Sequence, residues 1–596
     1  MHALKSKTRL VISFWATLAA LLPPLWPGRA QSSFQLAALG PLSASLLGTD
    51  TVSLAWPGGA GIRLQSSANL TPGSWQDLAN TVGLSNASFA AAAPRMFYRL
   101  AASALGPGVP LNLANLGFEA DGQPVANPSG WTTIGNTNAS AVIATDAYAG
   151  NFCLQHSNSA SYQVQTSVLI TNLPDGIYRL DGVVKSSGGQ NACFLAANEQ
   201  RTSLPALTNW TATVVRGINV TNGQCLIQLS SEAAAGDWCR LDSLSLTNDN
   251  LPYNFLKGGD ISELTYVEQG GGKFYETNGV ETDCLQILKN HGFNIVRLRL
   301  YNDPGNPAYS PSNLLPAGIQ SPTNILNLAA RAKALGLQLE LTFYYSDYWT
   351  NGIPHDWSGL SFAQLTNAVY AFTTNFLWQM RQQGTTPEYV SLGNEIGGGI
   401  LLPAGSSANF PQLAQLLNAG YAAVKAVSPA TQVILHIGNV DAPTVEWFFD
   451  QCLSNNVSWD IIGCSYYPFW THFTSEQART NINQFFPLFN KPVLLMETGY
   501  NWSTNACDGY PGQLSNNGPE IYPSTPAGQK NFLLKCFNDL KLTAGGHCLG
   551  DLYWDPIFIC VPGEGWRLGA RNVVDNTTLF DFTGHALPAL DAFRDN

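Results

Sequence analysis

Residues 295–345 decide the fold. They read Ile295-Val296-Arg297-Leu298-Arg299-Leu300-Tyr301, then NILNLAARAKAL over Asn324–Leu335, then Leu337-Gln338-Leu339-Glu340-Leu341-Thr342-Phe343-Tyr344-Tyr345. Two strand-length apolar runs flank one with helical spacing. A strand, a helix and a strand in that order imply parallel pairing, because the helix carries the chain back to start the next strand. The pattern continues on the C-terminal side. Pro387–Asn394 precedes a helical run at Phe410–Val427 and a further strand at Gln432–Ile437, and Ile461–Tyr467, Pro492–Glu497 and Leu549–Trp554 extend the series. About eight such units within 252–596 predict an α/β fold, a (β/α)8 TIM barrel. A doubly wound open sheet is the alternative, but no Gly-rich phosphate turn supports it.

Working outward toward the N-terminus, the grammar changes. Residues 111–248 hold only strand-like runs (Tyr162–Ile170, Gly176–Val184, Thr211–Val220, Gln224–Leu229), which predict an all-β sandwich. Residues 101–110, rich in Ala, Gly and Pro, read as a linker. Residues 33–100 carry short alternating runs and predict a second, smaller β-sandwich module. Residues 1–30 have the parts of a secretory signal: Lys5, Lys7 and Arg9, an apolar run Leu10–Leu22 broken by Pro23 and Pro24, and small residues at Gly28 and Ala30. That run is short of the ~20 residues that span a bilayer, so no membrane attachment is expected after signal cleavage.

Charge separates the two halves. The net charge is −11 with only 12% charged residues. Residues 1–250 carry 12 basic and 12 acidic side chains, so the whole imbalance falls on 251–596. An acidic chain without a basic face excludes a nucleic-acid partner. Eleven cysteines suit an oxidising compartment, and none has the C-x-x-C spacing of a zinc site.

Active sites of barrels lie at the C-terminal ends of the strands. Two glutamates occupy such places: Glu395 ends Tyr389–Asn394, and Glu497 ends Val493–Met496. A carboxylate at the end of an apolar strand is costly unless it has a purpose. Two facing carboxylates are the equipment for cleaving a glycosidic bond. In the sandwich, Trp131, Tyr148, Trp210 and Trp238 are the large aromatic residues that would stack on the apolar face of a sugar if the module resembles the sugar-binding ones described below.

Several blocks carry a family resemblance. They are Lys257-Gly258-Gly259-Asp260-Ile261-Ser262, Arg297 to Pro304, Tyr345-Ser346-Asp347-Tyr348-Trp349, Gly393-Asn394-Glu395-Ile396, Ser465 to Trp470, Met496-Glu497-Thr498, Tyr553-Trp554 and Leu579-Phe580-Asp581-Phe582. In order across 255–593 they resemble glycoside hydrolase family 53, the arabinogalactan endo-β-1,4-galactanases. The resemblance implies a retaining hydrolase with Glu395 as acid/base and Glu497 as nucleophile beside the Arg297 cation. Asn394 would meet the sugar 2-OH, and Trp349 and Trp554 would be stacking floors. Asp260, Asp347, Tyr466 and Tyr467 would reach hydroxyls or orient Glu497. It implies β-1,4-galactan or arabinogalactan as partner, no catalytic cofactor and a secreted monomer.

Residues 111–248 open with Asn115-Leu116-Gly117-Phe118-Glu119 and close with Trp238-Cys239-Arg240-Leu241-Asp242. In this they resemble the jelly-roll carbohydrate-binding modules, including the galactan-binding kind, which implies a structural calcium held by Glu119 and Asp242. The barrel departs from its family where Tyr344 replaces a common His and where Gly397-Gly398-Gly399 follows the acid/base. The loop after strand 7, which binds calcium in some relatives, offers only Asp508 here. A disulfide from Cys507 to Cys548 or Cys560 would take the ion's place. The competing readings are another retaining glycanase of the same clan, such as a β-mannanase, and a binding protein with an inactive barrel. A metal-dependent hydrolase ranks third, since the histidines form no close ligand pair in sequence.

Overall fold

The structure is a computed structural model. It describes residues 115–171, 173–249, 254–309, 315–316 and 318–594, and short segments between 43 and 102. The expected signal (1–30) and linker residues 103–110 lie outside the described residues.

The segments between 43 and 102 form two antiparallel three-stranded sheets, one of Ser43–Leu47, Thr51–Ala55 and Asn86–Ala90, the other of Gln76–Asp77, Ile62–Ser67 and Phe97–Ala102. Ala101 and Ala102, read as the start of the linker, end the last of these strands.

Residues 115–249 fold as two five-stranded antiparallel sheets packed face to face. Tyr162–Ile170 shows the cause, burying every second side chain. One sheet has its edge at Leu207–Val220, followed by Gly176–Ser186, Trp238–Asn248, Cys153–Ser157 and Ser140–Ile143. Trp131 is core, packed on Phe118, and so leaves the list of sugar-facing rings. Tyr148 is 55% exposed and meets Trp210 edge-on.

The calcium expected at Glu119 and Asp242 is not matched by the donors. Backbone N–H groups of Tyr148 and Ala149 occupy one oxygen of Asp242, and Ser243 N–H the other. Asn151 and Phe152 N–H groups share Glu119 Oε1. The two acids thus brace the loop 146–152, whereas calcium needs six to eight oxygens turned toward it. Among the described residues neither belongs to a cluster of acidic donors close enough for a metal.

From Leu256 the chain closes an eight-stranded parallel barrel, strands 1–8 being Leu256–Asp260, Ile295–Leu300, Gln338–Phe343, Tyr389–Leu392, Gln432–Ile437, Ile461–Tyr466, Val493–Thr498 and Cys548–Tyr553. The helices between them start on polar caps. Ser361 with Gln364 and Thr474 with Gln477 make reciprocal capping boxes. An apolar plug of Leu256, Ile295, Ile434, Ile461, Leu494, Met496 and Leu552 fills the lower interior. Above it the interior is ionic. Cys507 pairs with Cys560 and not with Cys548, and the remaining cysteines are buried thiols. Asp508 caps Tyr510 N–H and faces Arg571 at 3.7 Å, so this loop is closed by a covalent bond and an ion pair.

The sandwich is seated on the barrel. Thr213 Oγ1 and Val214 N–H both donate to Asn538 Oδ1 at 3.0 Å, and Asn538 Nδ2 donates to Ala212 O at 2.8 Å. Arg216 donates to Lys541 O and Thr543 O while pairing with Asp249 at 2.7 Å. The first of those carbonyls ends the helix Pro526–Lys541, where a cation suits the helix dipole.

Candidate active site

The upper barrel interior is built from side chains spaced two apart on apolar strands, which places them on one face. Asp260, Arg297 and Glu340 are level neighbours on strands 1, 2 and 3. Arg297 is fully buried. Its Nη1 donates to Glu497 Oε1 at 2.8 Å, its Nη2 to Asn394 Oδ1, and its Nε lies 3.6 Å from both Asp260 and Glu340. Burial opposes its charge, yet Glu497, Asp260 and Glu340 hold it above the ordinary arginine range. Tyr467 donates to the other Glu497 oxygen at 3.0 Å. Glu497 is therefore held on both sides.

Glu395 follows strand 4 with a left-handed backbone, φ 47° and ψ 53°. It opens to water at the cleft, while its carboxyl is crowded by protein atoms. Ser465 Oγ donates to it at 2.7 Å, and His436 Nε2 bonds that same hydroxyl at 2.9 Å. Burial, and then the charge of Glu497, push the Glu395 carboxyl up to about 7. Oxygens of Glu395 and Glu497 lie within 4.8 Å of one another. Retaining glycosidases place their carboxyl groups ~5–5.5 Å apart, whereas inverting ones leave ~6.5–9.5 Å for a water.

Trp554 and Trp349 meet edge-on at 5.7 Å, and Trp349 Nε1 donates to Trp566 O. Arg299 lies under both rings, 4.4 Å from Trp554 and 4.5 Å from Trp349. Trp470, 49% exposed, adds a ring against Tyr467. Tyr344 stacks on Tyr301 at 4.4 Å, and Gly399 begins a short hairpin with Gly405–Ser406.

Three of the residues expected to reach hydroxyls or orient Glu497 are engaged by protein groups. Asp260 is 1% exposed and accepts from Arg299 and Ser262 N–H; it also lies 3.6 Å from Arg297, so it acts on Glu497 through that arginine, the second of its two expected roles. Asp347 is equally buried and binds Asp303 N–H and His355 N–H, which fixes two loops. Tyr466 points away from the cleft, to Phe473 O and Glu520. Its neighbour Tyr467 faces inward because adjacent strand residues alternate. Ser465, His436 and Glu340 belong to the site and were not picked out from sequence. The signal was present, since Glu340 and Thr342 interrupt an apolar strand at a spacing of two.

Glu340 has a measurable consequence. Burial pushes its carboxyl up to about 8, although Arg297 and Thr342 pull the other way. It is protonated in the folded chain and ionised in the unfolded one between pH ~4.5 and ~8, so stability falls as pH rises through that window. Glu340→Gln is expected to flatten the decline of Tm between pH 5 and 8. An unchanged Tm profile would show that Glu340 titrates as an ordinary acid.

Comparison with known proteins decides the family. The profile of Glycosyl hydrolase family 53 matches residues 256–593, more than half of the chain. The chain belongs to this family. It is a glycoside hydrolase. The arabinogalactan endo-beta-1,4-galactanase of Cellvibrio japonicus (strain Ueda107) is 32% identical over 365 residues, covering 58% of this chain and 92% of that protein. The endo-beta-1,4-galactanase of Bacillus subtilis (strain 168) is 30% identical over 376 residues, covering 57% and 86%. Among solved structures, the Ignisphaera aggregans GH53 catalytic domain is 36% identical with a TM-score of 0.55, covering 58% of this chain and 96% of its own. The family-53 region coincides with the barrel that carries Glu395 and Glu497.

Proposed function

We propose that this family-53 hydrolase is an exported endo-β-1,4-galactanase acting on galactan or arabinogalactan with net retention. The observation that carries the mechanism is the close approach of Glu395 and Glu497, with Arg297 bound to only one of them. Glu395, protonated, donates to the glycosidic oxygen as that bond breaks, and Glu497 attacks the anomeric carbon from the other face. Water then enters, Glu395 takes its proton, and the sugar–Glu497 ester is cleaved. Asn394, its amide oxygen fixed by Arg297, turns its NH2 toward the 2-OH. The galactanase names of the two relatives support the substrate. The cycle consumes water alone and needs no cofactor. Export rests on residues 5–30; no helix among the described residues is long and apolar enough to cross a membrane.

The structure brings together what sequence spacing had kept apart. Glu395, His436 and Glu497 have donor atoms within 4.8 Å of one another, a set that suits a metal on geometry alone. Arg297 already supplies the positive charge there, and His436 Nε2 is engaged by Ser465. Hydrolysis of linear β-1,4-galactan should therefore be undiminished in EDTA, and the first sugar released should carry the β configuration by NMR. Release of the α anomer, or cleavage of mannan but not galactan, would overturn the proposal.

A further inference from the structure

The two sheets of the sandwich bring a pair of thiols face to face. Cys193 lies on Ala192–Ala197 in one sheet, directly opposite Ser231 on the neighbouring strand. Cys239 lies on Trp238–Asn248 in the other sheet, directly opposite His156. Side chains directly opposite in an antiparallel pair stand on the same face. His156 then joins the sheets, its Nδ1 bonding Ser231 Oγ at 2.9 Å and its Nε2 bonding Thr166 Oγ1 at 3.0 Å. Where His156 meets Ser231, their cross-strand neighbours Cys239 and Cys193 meet as well, and the two sulfurs hydrogen-bond each other. Both lie in the apolar core, Cys193 6% and Cys239 0% exposed.

The reduced pair is poorly suited to that core. Donation from Cys193 holds the Cys239 thiol below its ordinary range against burial, with His156 adding to the effect. The same contact, together with burial, pushes Cys193 well above it. A thiolate among apolar side chains is costly, whereas a cystine is neutral and has no proton to lose.

We propose that Cys193 and Cys239 are a redox pair that closes to a cystine between the two sheets when the chain folds under oxidising conditions. That such conditions are met rests on the export reading. The oxidant is an external disulfide, RSSR. The Cys239 thiolate attacks one of its sulfurs, forming a mixed disulfide and releasing RS⁻, which takes the proton of Cys193. The Cys193 thiolate then attacks Cys239 Sγ and displaces the second RS⁻, which takes up the proton that Cys239 gave up on ionising. Two electrons pass to RSSR, and two RSH leave. Neither sulfur is open to a reagent in the finished sandwich, so the exchange takes place during folding, before the sheets close.

Refolding the full chain from denaturant with reduced and oxidised glutathione tests the proposal. The soluble product is alkylated in denaturant and mapped by mass spectrometry without reduction. The Cys193 and Cys239 peptides are expected to be linked to each other. Both alkylated, or either linked to another cysteine, overturns the proposal. Dithiothreitol added to the folded chain gives a second readout. Cys507 and Cys560 are half-buried, so their bond should open at least about tenfold faster than one in the core. Equal rates would mean that the Cys193–Cys239 bond is not the core cystine proposed. The full chain, produced with residues 1–30 in a bacterial host with an oxidising periplasm, judges export separately. If the two cysteines are linked after refolding but alkylated in the chain taken from those cells, the export reading fails and the cystine stands.

Discussion

Glu497→Ala should lower the hydrolysis of an aryl β-galactobioside by on the order of 10⁴-fold or more, because the covalent path closes with the nucleophile. Azide should then restore turnover in a diagnostic way. In Glu497→Ala it fits the space the carboxylate leaves below the ring, attacks the anomeric carbon from that face, and yields the α-galactosyl azide. In Glu395→Ala the galactosyl ester on Glu497 still forms from a substrate with a good leaving group. Azide enters there from the opposite face, giving the β-galactosyl azide. The loss without azide should be about 10²–10⁴-fold on substrates that need the proton. Chromatography and NMR of the azide adducts check both variants at once. The same anomer from each, or the two anomers exchanged, would mean that the roles of Glu395 and Glu497 are wrongly assigned.

The second large effect is on pH. In the proposed cycle Glu395 must carry its proton to release the leaving group, and its carboxyl is raised to about 7 by burial first and the Glu497 charge second. Activity measured as kcat/KM should fall tenfold per pH unit above about 7. The Ser465 hydroxyl bonds the charged form and pulls the other way. Ser465→Ala should therefore move the alkaline limb upward, by about one unit or less. His436 touches the same hydroxyl, but burial and then Arg297 hold it well below the ordinary histidine range, so it is neutral throughout and adds no limb of its own. A limb that stays in place in Ser465→Ala would show that Glu395 does not set it.

The barrel was readable because its strands are apolar runs with few rivals. Gln432–Ile437 and the helix Phe410–Val427 have the bounds read from sequence, and Ile295–Leu300 differs by one residue. Strand 1, Leu256–Asp260, was visible only through a family block, because Gly258 and Gly259 erase its periodicity. The two glutamates were readable from their places at strand ends. What escaped is the direction of polar side chains. Asp260 and Asp347 look like cleft acids in sequence, but their charges are consumed by Arg299 and by loop N–H groups that come from distant parts of the chain. Glu340 and His436 look like interruptions of apolar strands, and only closure of the barrel brings them beneath Glu395 and Glu497.

Glu395 takes a left-handed backbone that costs a residue with a side chain about 1–2 kcal/mol and suits glycine. Its carboxyl is crowded and faces a second one. Each of these opposes folding, so Glu395→Gly should melt at a higher temperature than the unaltered chain while losing most of its activity on galactan; a lower Tm would show that the site carries no such cost. It follows that inactivity is downhill for this protein. If Glu395 is the acid/base as proposed, its loss would leave a sturdier barrel behind, so the glutamate at 395 is held against the fold's own preference.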